Sequence, residues 1–254
     1  MLSYQHAYHA GSPADLHKHA ALAALLDLIT QSPRPITYLE SHAGRGLYDL
    51  EGPEARKTGE AARGIGLVAL PEGPFADALM TVRERFGPAT YPGSPAIARV
   101  LLRRGDAMVF CEMHPAEHQA LKTVMRGSGA RIDRRDGHEG VLALCPKRPG
   151  LALIDPSYEV KSEYAKTAET AIRLATRWRR GVVMLWYPIL PAARHQDLAF
   201  AVERALGTAC LKSEVLFHDR PGRGMVGSGL LILNPPAGVE EVLETAWEPL
   251  RAIF

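Results

Sequence analysis

Seven short apolar runs alternating with helical patterns predict an α/β fold with a seven-stranded sheet. Three observations carry that expectation. The run Leu151-Ala152-Leu153-Ile154 reads as a buried parallel strand and stops abruptly at Asp155-Pro156-Ser157-Tyr158. Gly44 and Gly46 follow the first predicted strand, Ile36 to Glu40, and acids stand after the next three: Glu112, Asp136 and Asp155. Open α/β sheets bind ligands at the carboxyl ends of their strands, so this spacing points to a Rossmann-like sheet with one functional edge.

Composition sets the outer limits. The 254 residues are 46% hydrophobic and 23% charged, as in a globular protein with ample core. A formal charge of +2 permits a nucleic-acid partner but leaves any such contact to local clusters. Cys111, Cys145 and Cys210 are far apart and odd in number, which argues against a disulfide framework or a zinc ribbon and fits a reducing cytoplasm. No signal peptide or membrane span is expected, because no stretch approaches about 18 apolar residues. No repeat or interdomain linker is evident, and one domain spanning 1–254 is expected.

In chain order, residues 1–12 read as an arm. Pro13 then opens an amphipathic helix running to Ser32-Pro33. His6, His9, His17 and His19 crowd this region, but no carboxylate or cysteine stands at ligand spacing, so positioning or substrate contact is expected and no metal. The glycine loop Ser41 to Gly46 lacks the third glycine of a dinucleotide fingerprint, and a structural turn explains it equally well. Helical patterns over Gly59 to Leu70 and Phe75 to Phe86 suggest a small helical insertion of about 49–93 in an otherwise regular fold.

Pro92-Gly93-Ser94-Pro95 turns into a helix that leads to the strand Ala107 to Met113. His114 and His118, four apart, read as solvent-facing in the absence of a third ligand. Arg131 to Gly137 suggests a third strand and Leu151 to Ile154 a fourth. Residues 161–180 form a helix whose Arg173, Arg177, Arg179 and Arg180 read as a solvated face. Gly181 to Tyr187 is the fifth strand, Pro191 to Leu206 a helix, and Glu214 to Phe217 the sixth strand. His218 to Gly229, with Arg220 and Arg223, is glycine-rich, polar and suited to a loop over phosphates. Leu230 to Leu233 is the seventh strand, and a last helix occupies much of 238–251.

The chemistry concentrates at Asp155. Its carboxylate can accept a hydrogen bond from an exocyclic amine, the Pro156 carbonyl can accept a second, and Tyr158 offers a face for stacking. That set would hold an adenine. The same tetrapeptide is also an ordinary turn, since Asp bonds its own backbone and Pro fixes φ.

The whole constellation resembles a class I S-adenosylmethionine-dependent methyltransferase, and Asp155 to Tyr158 resembles the (D/N/S)PP(Y/F) motif of amino-methyltransferases. MLSYQHAYHAGSPADLHKH, YLESHAGRGLYDL, YPGSPAIARVLL, CEMHP, ALIDPSYE, LWYP and GSGLLILNPP together resemble the RlmJ (YhiR) family, and they span nearly the whole chain. The resemblance implies methylation of N6 of one adenine in 23S ribosomal RNA, with S-adenosyl-L-methionine as cofactor and no obligate protein partner. It implies that His19, His42 and Ser94 contact the methionine part of the cofactor, Glu112 the ribose, and Asp136 and Gly137 the adenine end, beside Gly44 and Gly46 of the glycine loop. Asp155 matches the catalytic acid, at the cofactor as well as the substrate, and Tyr4 a substrate contact in the arm. Ser157 stands where the family has a second proline, which removes a rigidifying ring.

A DNA adenine-N6 methyltransferase would share this chemistry, and protein glutamine methylation uses a similar motif, although Arg220 and Arg223 favour an anionic substrate. From a different class, a non-catalytic nucleic-acid-binding module could keep the fold. Retention of the glycine loop, Glu112 and Asp136 together speaks for cofactor binding.

Overall fold

The computed structural model describes residues 5–218 and 224–254. A seven-stranded sheet runs in the order β5-β4-β1-β6-β7-β9-β8. Its strands are β1 (Thr37–Glu40), β4 (Ala107–Cys111), β5 (Arg131–Asp133), β6 (Gly150–Ile154), β7 (Gly181–Ile189), β8 (Cys210–Leu216) and β9 (Gly227–Leu233). Neighbours from β5 to β7 are parallel, while β9 runs antiparallel between β7 and β8. The first five sheet strands therefore follow the doubly wound pattern, with the chain reversing where β1 gives way to β4 on one side and β6 on the other. β1, β6, β7 and β9 are buried along their whole lengths, as the unbroken apolar runs of β6 and β7 require, while β1 and β9 also bury Thr37, Glu40 and Ser228.

Three predicted strand limits shift. β8 begins at Cys210, four residues before the expected start, because its edge position lets Lys212 and Glu214 point outward while Ser213 between them faces inward. β9 takes in Gly227 to Gly229, which polarity had assigned to the preceding loop. Gly229 is required there, since a Cβ would fall 2.0 Å from the Tyr187 ring. β5 ends at Asp133, and Asp136 instead caps α7 (Gly137–Ala143), its carboxylate accepting from the Glu139 N–H at 3.0 Å.

The segment after the glycine loop is closed by two short strands that sequence reasoning missed, β2 (Leu47–Asp49) and β3 (Thr90–Pro92), paired antiparallel. Between them lie α2 (Pro53–Thr58), α3 (Glu60–Arg63) and α4 (Pro74–Phe86). The single helix expected over Gly59 to Leu70 is absent. Gly59 is left-handed at φ +64° and ends α2, and Gly64 ends α3. A Cβ on Gly64 would lie 2.1 Å from the Gly11 carbonyl oxygen, so this glycine lets the arm pass close by.

The other helices are α1 (Pro13–Thr30), α5 (Ser94–Leu101), α6 (Pro115–Val124), α8 (Glu163–Arg177), α9 (His195–Leu206) and α10 (Val239–Trp247), the last followed by a 3-10 turn at Glu248–Ile253. α1 departs most from expectation. Read as amphipathic, it is buried from Ala14 through Leu26, packed among α4, α5, α10 and β9. Asp15, His17, Lys18 and His19 are therefore interior polar groups that must find partners. His17 bonds Ser228 at 3.0 Å and Ser213 at 3.2 Å, tying α1 to β9 and β8. Among the described residues no helix is long and apolar enough to cross a membrane.

Candidate active site

Where β1, β4 and β6 end, a cavity of about 330 Å³ opens. His19, His42, Gly44, Ser94, Glu112, Asp136, Gly137, Asp155 and Pro156 all line it. Chain segments as distant as α1 and α8 meet there because the parallel strands deliver their carboxyl ends to one edge.

Asp155 follows β6, its N–H donating to the Ser41 hydroxyl at 3.3 Å. Lys18 Nζ donates to Asp155 Oδ2 at 2.6 Å and lies 3.2 Å from Asp15 Oδ1. Asp15 Oδ2 in turn accepts from the Gly11 N–H at 3.0 Å and lies 2.9 Å from His6 Nε2. A buried line of charge thus runs from the arm through α1 to Asp155. Burial opposes charge on Lys18, but Asp155 and Asp15 outweigh it and hold its pKa above the usual lysine value. Burial likewise opposes ionisation of Asp15, and His6, Lys18 and His19 overcome it, so that carboxyl titrates well below its ordinary range. Lys18 also stands 5.4 Å from the centre of the Trp186 ring. Lys18 was not singled out from the sequence as a site residue, whereas His6 was expected, with the other histidines of this region, to position or contact substrate. The signal available for Lys18 was its place on one helix with Asp15.

Glu40 is a second residue that sequence reasoning passed over. Fully buried at the end of β1, it accepts from Tyr38 at 3.0 Å and from the Ser94 hydroxyl. Burial raises its pKa to about 8, so at neutral pH it is mostly the acid, braced against the wall that holds Ser94. Glu112 is fixed by the Gly44 N–H at 2.8 Å and the His114 N–H at 2.7 Å. Burial raises its pKa as well, against those two donors. His19 bonds Tyr91 at 2.9 Å and His42 bonds Ser41 at 2.8 Å. Burial brings both imidazoles down to about pH 3, and they are neutral polar groups. Asp136 lies 3.0 Å from Lys166 of α8.

Two expectations need correction. Gly46 does not line the cavity. At φ +83° it serves the turn, and its carbonyl accepts from the Gly93 N–H at 2.9 Å, joining the glycine loop to the start of α5. Tyr158 does not present an open face. It is left-handed at φ +56° and buried, its hydroxyl donates to the Trp186 carbonyl at 2.6 Å, and its ring packs against Tyr164 with centroids 4.6 Å apart. A buried tyrosine needs a partner for its hydroxyl, and satisfying it drew the ring inward. Tyr4, Arg220 and Arg223 lie outside the described residues. Of the paired histidines, His114 caps α6 by accepting from the Glu117 N–H at 3.4 Å.

A doubly wound sheet with a reversed last strand, and an edge cavity lined by Glu112, Asp136 and Asp155, make this a class I S-adenosylmethionine-dependent methyltransferase. The family described as Ribosomal RNA large subunit methyltransferase D, RlmJ, matches residues 33–252. The chain is 34% identical over 251 residues to Ribosomal RNA large subunit methyltransferase J of Escherichia coli, covering 95% of this chain and 90% of that one. It is 33% identical over 251 residues to the protein of the same name from Haemophilus influenzae, covering 94% and 89%. A crystal structure of a Legionella pneumophila protein superposes with a TM-score of 0.82 at 30% identity, covering 94% of this chain and 93% of that one. The chain belongs to the RlmJ family.

The residues present fit S-adenosylmethionine. Glu112 keeps lone pairs beyond its two backbone donors, as a ribose diol requires. Buried polar atoms without partners among the described residues, on His138 and Glu163, also stand in the cavity wall.

Proposed function

We propose that this chain methylates the exocyclic N6 amine of an adenine in 23S ribosomal RNA. The relatives it resembles carry the name of a large-subunit ribosomal RNA methyltransferase. The observation that carries the chemistry is the Lys18–Asp155 pair at 2.6 Å, which pins Asp155 at the mouth of β6 beside Pro156.

Glu112 would hold the ribose of the cofactor, Asp136 and Gly137 its adenine end, and His19, His42, Gly44 and Ser94 its methionine end. When bound, S-adenosylmethionine supplies an electrophilic methyl group on a sulfonium. An aromatic amine is a poor nucleophile because its lone pair is delocalised into the ring. Asp155 and the Pro156 carbonyl would each accept one N–H of the amine, favouring the pyramidal form and aiming its lone pair at the methyl. Lys18 occupies Oδ2, and Oδ1 carries no hydrogen bond among the described residues. The carboxylate is thereby oriented by one cation and keeps acceptor capacity for the substrate. Transfer leaves a surplus proton on the amine nitrogen, within reach of that acceptor.

The target base must leave its stack to enter the cavity, at a cost of a few kcal/mol. Tyr4, Arg220 and Arg223 would engage RNA. His9 lies 3.0 Å from Glu60, which ties the arm to α3.

The deciding experiment offers labelled S-adenosylmethionine and purified, unmodified 23S ribosomal RNA, with DNA of matching sequence beside it. Label recovered as N6-methyladenosine in RNA alone is expected. Label only in DNA would keep the chemistry and overturn the substrate. Asp155→Ala should abolish transfer while leaving cofactor affinity within a few-fold, and unchanged turnover would overturn the assignment of Asp155.

A further inference from the structure

His138 is the second residue of α7 and only 3% exposed, and neither Nδ1 nor Nε2 has a hydrogen-bond partner among the described residues. Its ring lines the cavity and meets His42 edge to face, centroids 5.1 Å apart. Burial, and then the charge of Lys166, lower its pKa to about 4. At neutral pH the imidazole therefore carries one N–H donor and one lone-pair acceptor, both unsatisfied. Burying such groups without partners is unfavourable, and native structures rarely leave them so unless something else completes them.

A second such atom shares the cavity. Glu163 opens α8, and its Oε2 is buried without a partner. The two residues thus present a donor and two acceptors, and they adjoin Asp136 and Gly137 in the cavity wall. An adenine edge is complementary to that set, because it offers an exocyclic amine as donor and ring nitrogens as acceptors.

We propose that His138 and Glu163 hydrogen-bond the adenine edge of the bound cofactor and select for an adenine base over one with a carbonyl in place of the amine. This rests on the cofactor reading of the cavity and is independent of the nucleic-acid substrate. Glu163 accepts from the amine, and the His138 N–H donates to the adjoining ring nitrogen. Closing the cavity around the nucleoside gives a partner to Glu163 Oε2 and to the His138 N–H.

Calorimetric titration with S-adenosylhomocysteine and with S-inosylhomocysteine tests this without any methyl transfer. The unaltered protein should bind the adenosyl compound at least about tenfold more tightly. His138→Phe keeps a flat ring and removes both nitrogens, and should weaken adenosyl binding about tenfold or more with little change for the inosyl compound. Glu163→Gln should shrink the preference in the same direction. Adenosyl affinity within twofold of the unaltered protein in His138→Phe would overturn the proposal. If that variant fails to fold, the ¹⁵N resonances of His138 in the unaltered protein decide, since they must shift when S-adenosylhomocysteine is added. Unshifted resonances would mean that water completes the ring, and would also overturn it. Absence of transfer to 23S RNA would count against the substrate alone.

Discussion

Lys18 shows how one side chain can couple stability to chemistry. It is 5% exposed at the side chain and stands between Asp15 and Asp155, so its removal strands two carboxylates in the interior. Breaking a buried pair by deleting one partner costs about 3–5 kcal/mol, most of it the uncompensated charge left behind. Lys18→Met should lower the unfolding free energy, read from urea titration, by that amount at neutral pH, and acidification that neutralises the stranded Asp15 should restore part of the loss. A midpoint equal to that of the unaltered protein would mean the pair contributes nothing net. This role was not legible in consecutive residues, because Asp155 meets Lys18 only through the fold. Tyr158 marks the converse. Its identity was legible and its orientation was not, since only the position of the Trp186 carbonyl decides where the hydroxyl goes.

At the scale of elements, the site depends on how closely α7 approaches the loop after β1. A Cβ on Gly137 would lie 2.1 Å from the Ser41 carbonyl oxygen and 2.8 Å from His42 Cε1. The backbone there has no room to give, unlike the far end of a flexible side chain. Gly137→Ala should therefore push α7 away from β1 and cost about 1–3 kcal/mol of stability. Cofactor affinity should fall by about tenfold or more, as read by equilibrium binding of S-adenosylhomocysteine. Wild-type affinity in that variant would show that the contact is not transmitted to the cavity. The sequence placed the strand cores well, because β6 and β7 are unbroken apolar runs. It misplaced the boundaries where edge polarity or glycine intervened, in β8, β9 and the short helices after Gly52.

Over the whole molecule, buried titratable groups make stability depend on pH in two opposing ways. His17, His19 and His42 have folded pKa values of about 3 against an ordinary 6.5, so between those values the unfolded chain binds protons that the fold excludes. Stability contributed by these three is present above about pH 6.5 and is lost as pH falls. Glu40 runs the other way. Its folded value of about 8 exceeds the ordinary 4.5, so the fold keeps a proton that the unfolded chain releases, and stability falls as pH rises between them. From pH 4.5 to 6.5 these histidines, joined by His138, outweigh Glu40, and above 6.5 the decline set by Glu40 remains. Urea midpoints measured from pH 4.5 to 8.5 should peak near 6.5 to 7, and Glu40→Gln should remove the alkaline decline while leaving the acid limb. A midpoint indifferent to pH across that range would refute the buried-charge account.

The sequence by itself determined the α/β class, the strand cores, and the cluster of Gly44, Glu112, Asp136 and Asp155 at one sheet edge. It could do so because strand periodicity, glycine turns and strand-end acids are local properties written in consecutive residues. Tertiary structure alone decided that α1 is an interior helix and that Lys18 faces Asp155 across 137 positions of chain. It also decided that Glu40 braces Ser94 and that His138 finds no hydrogen-bond partner among the described residues. Those are pairings between distant segments, and they depend on which polar atoms the packing of helices on the sheet leaves dry. Burial creates the demand for a partner, and only the fold determines who answers it.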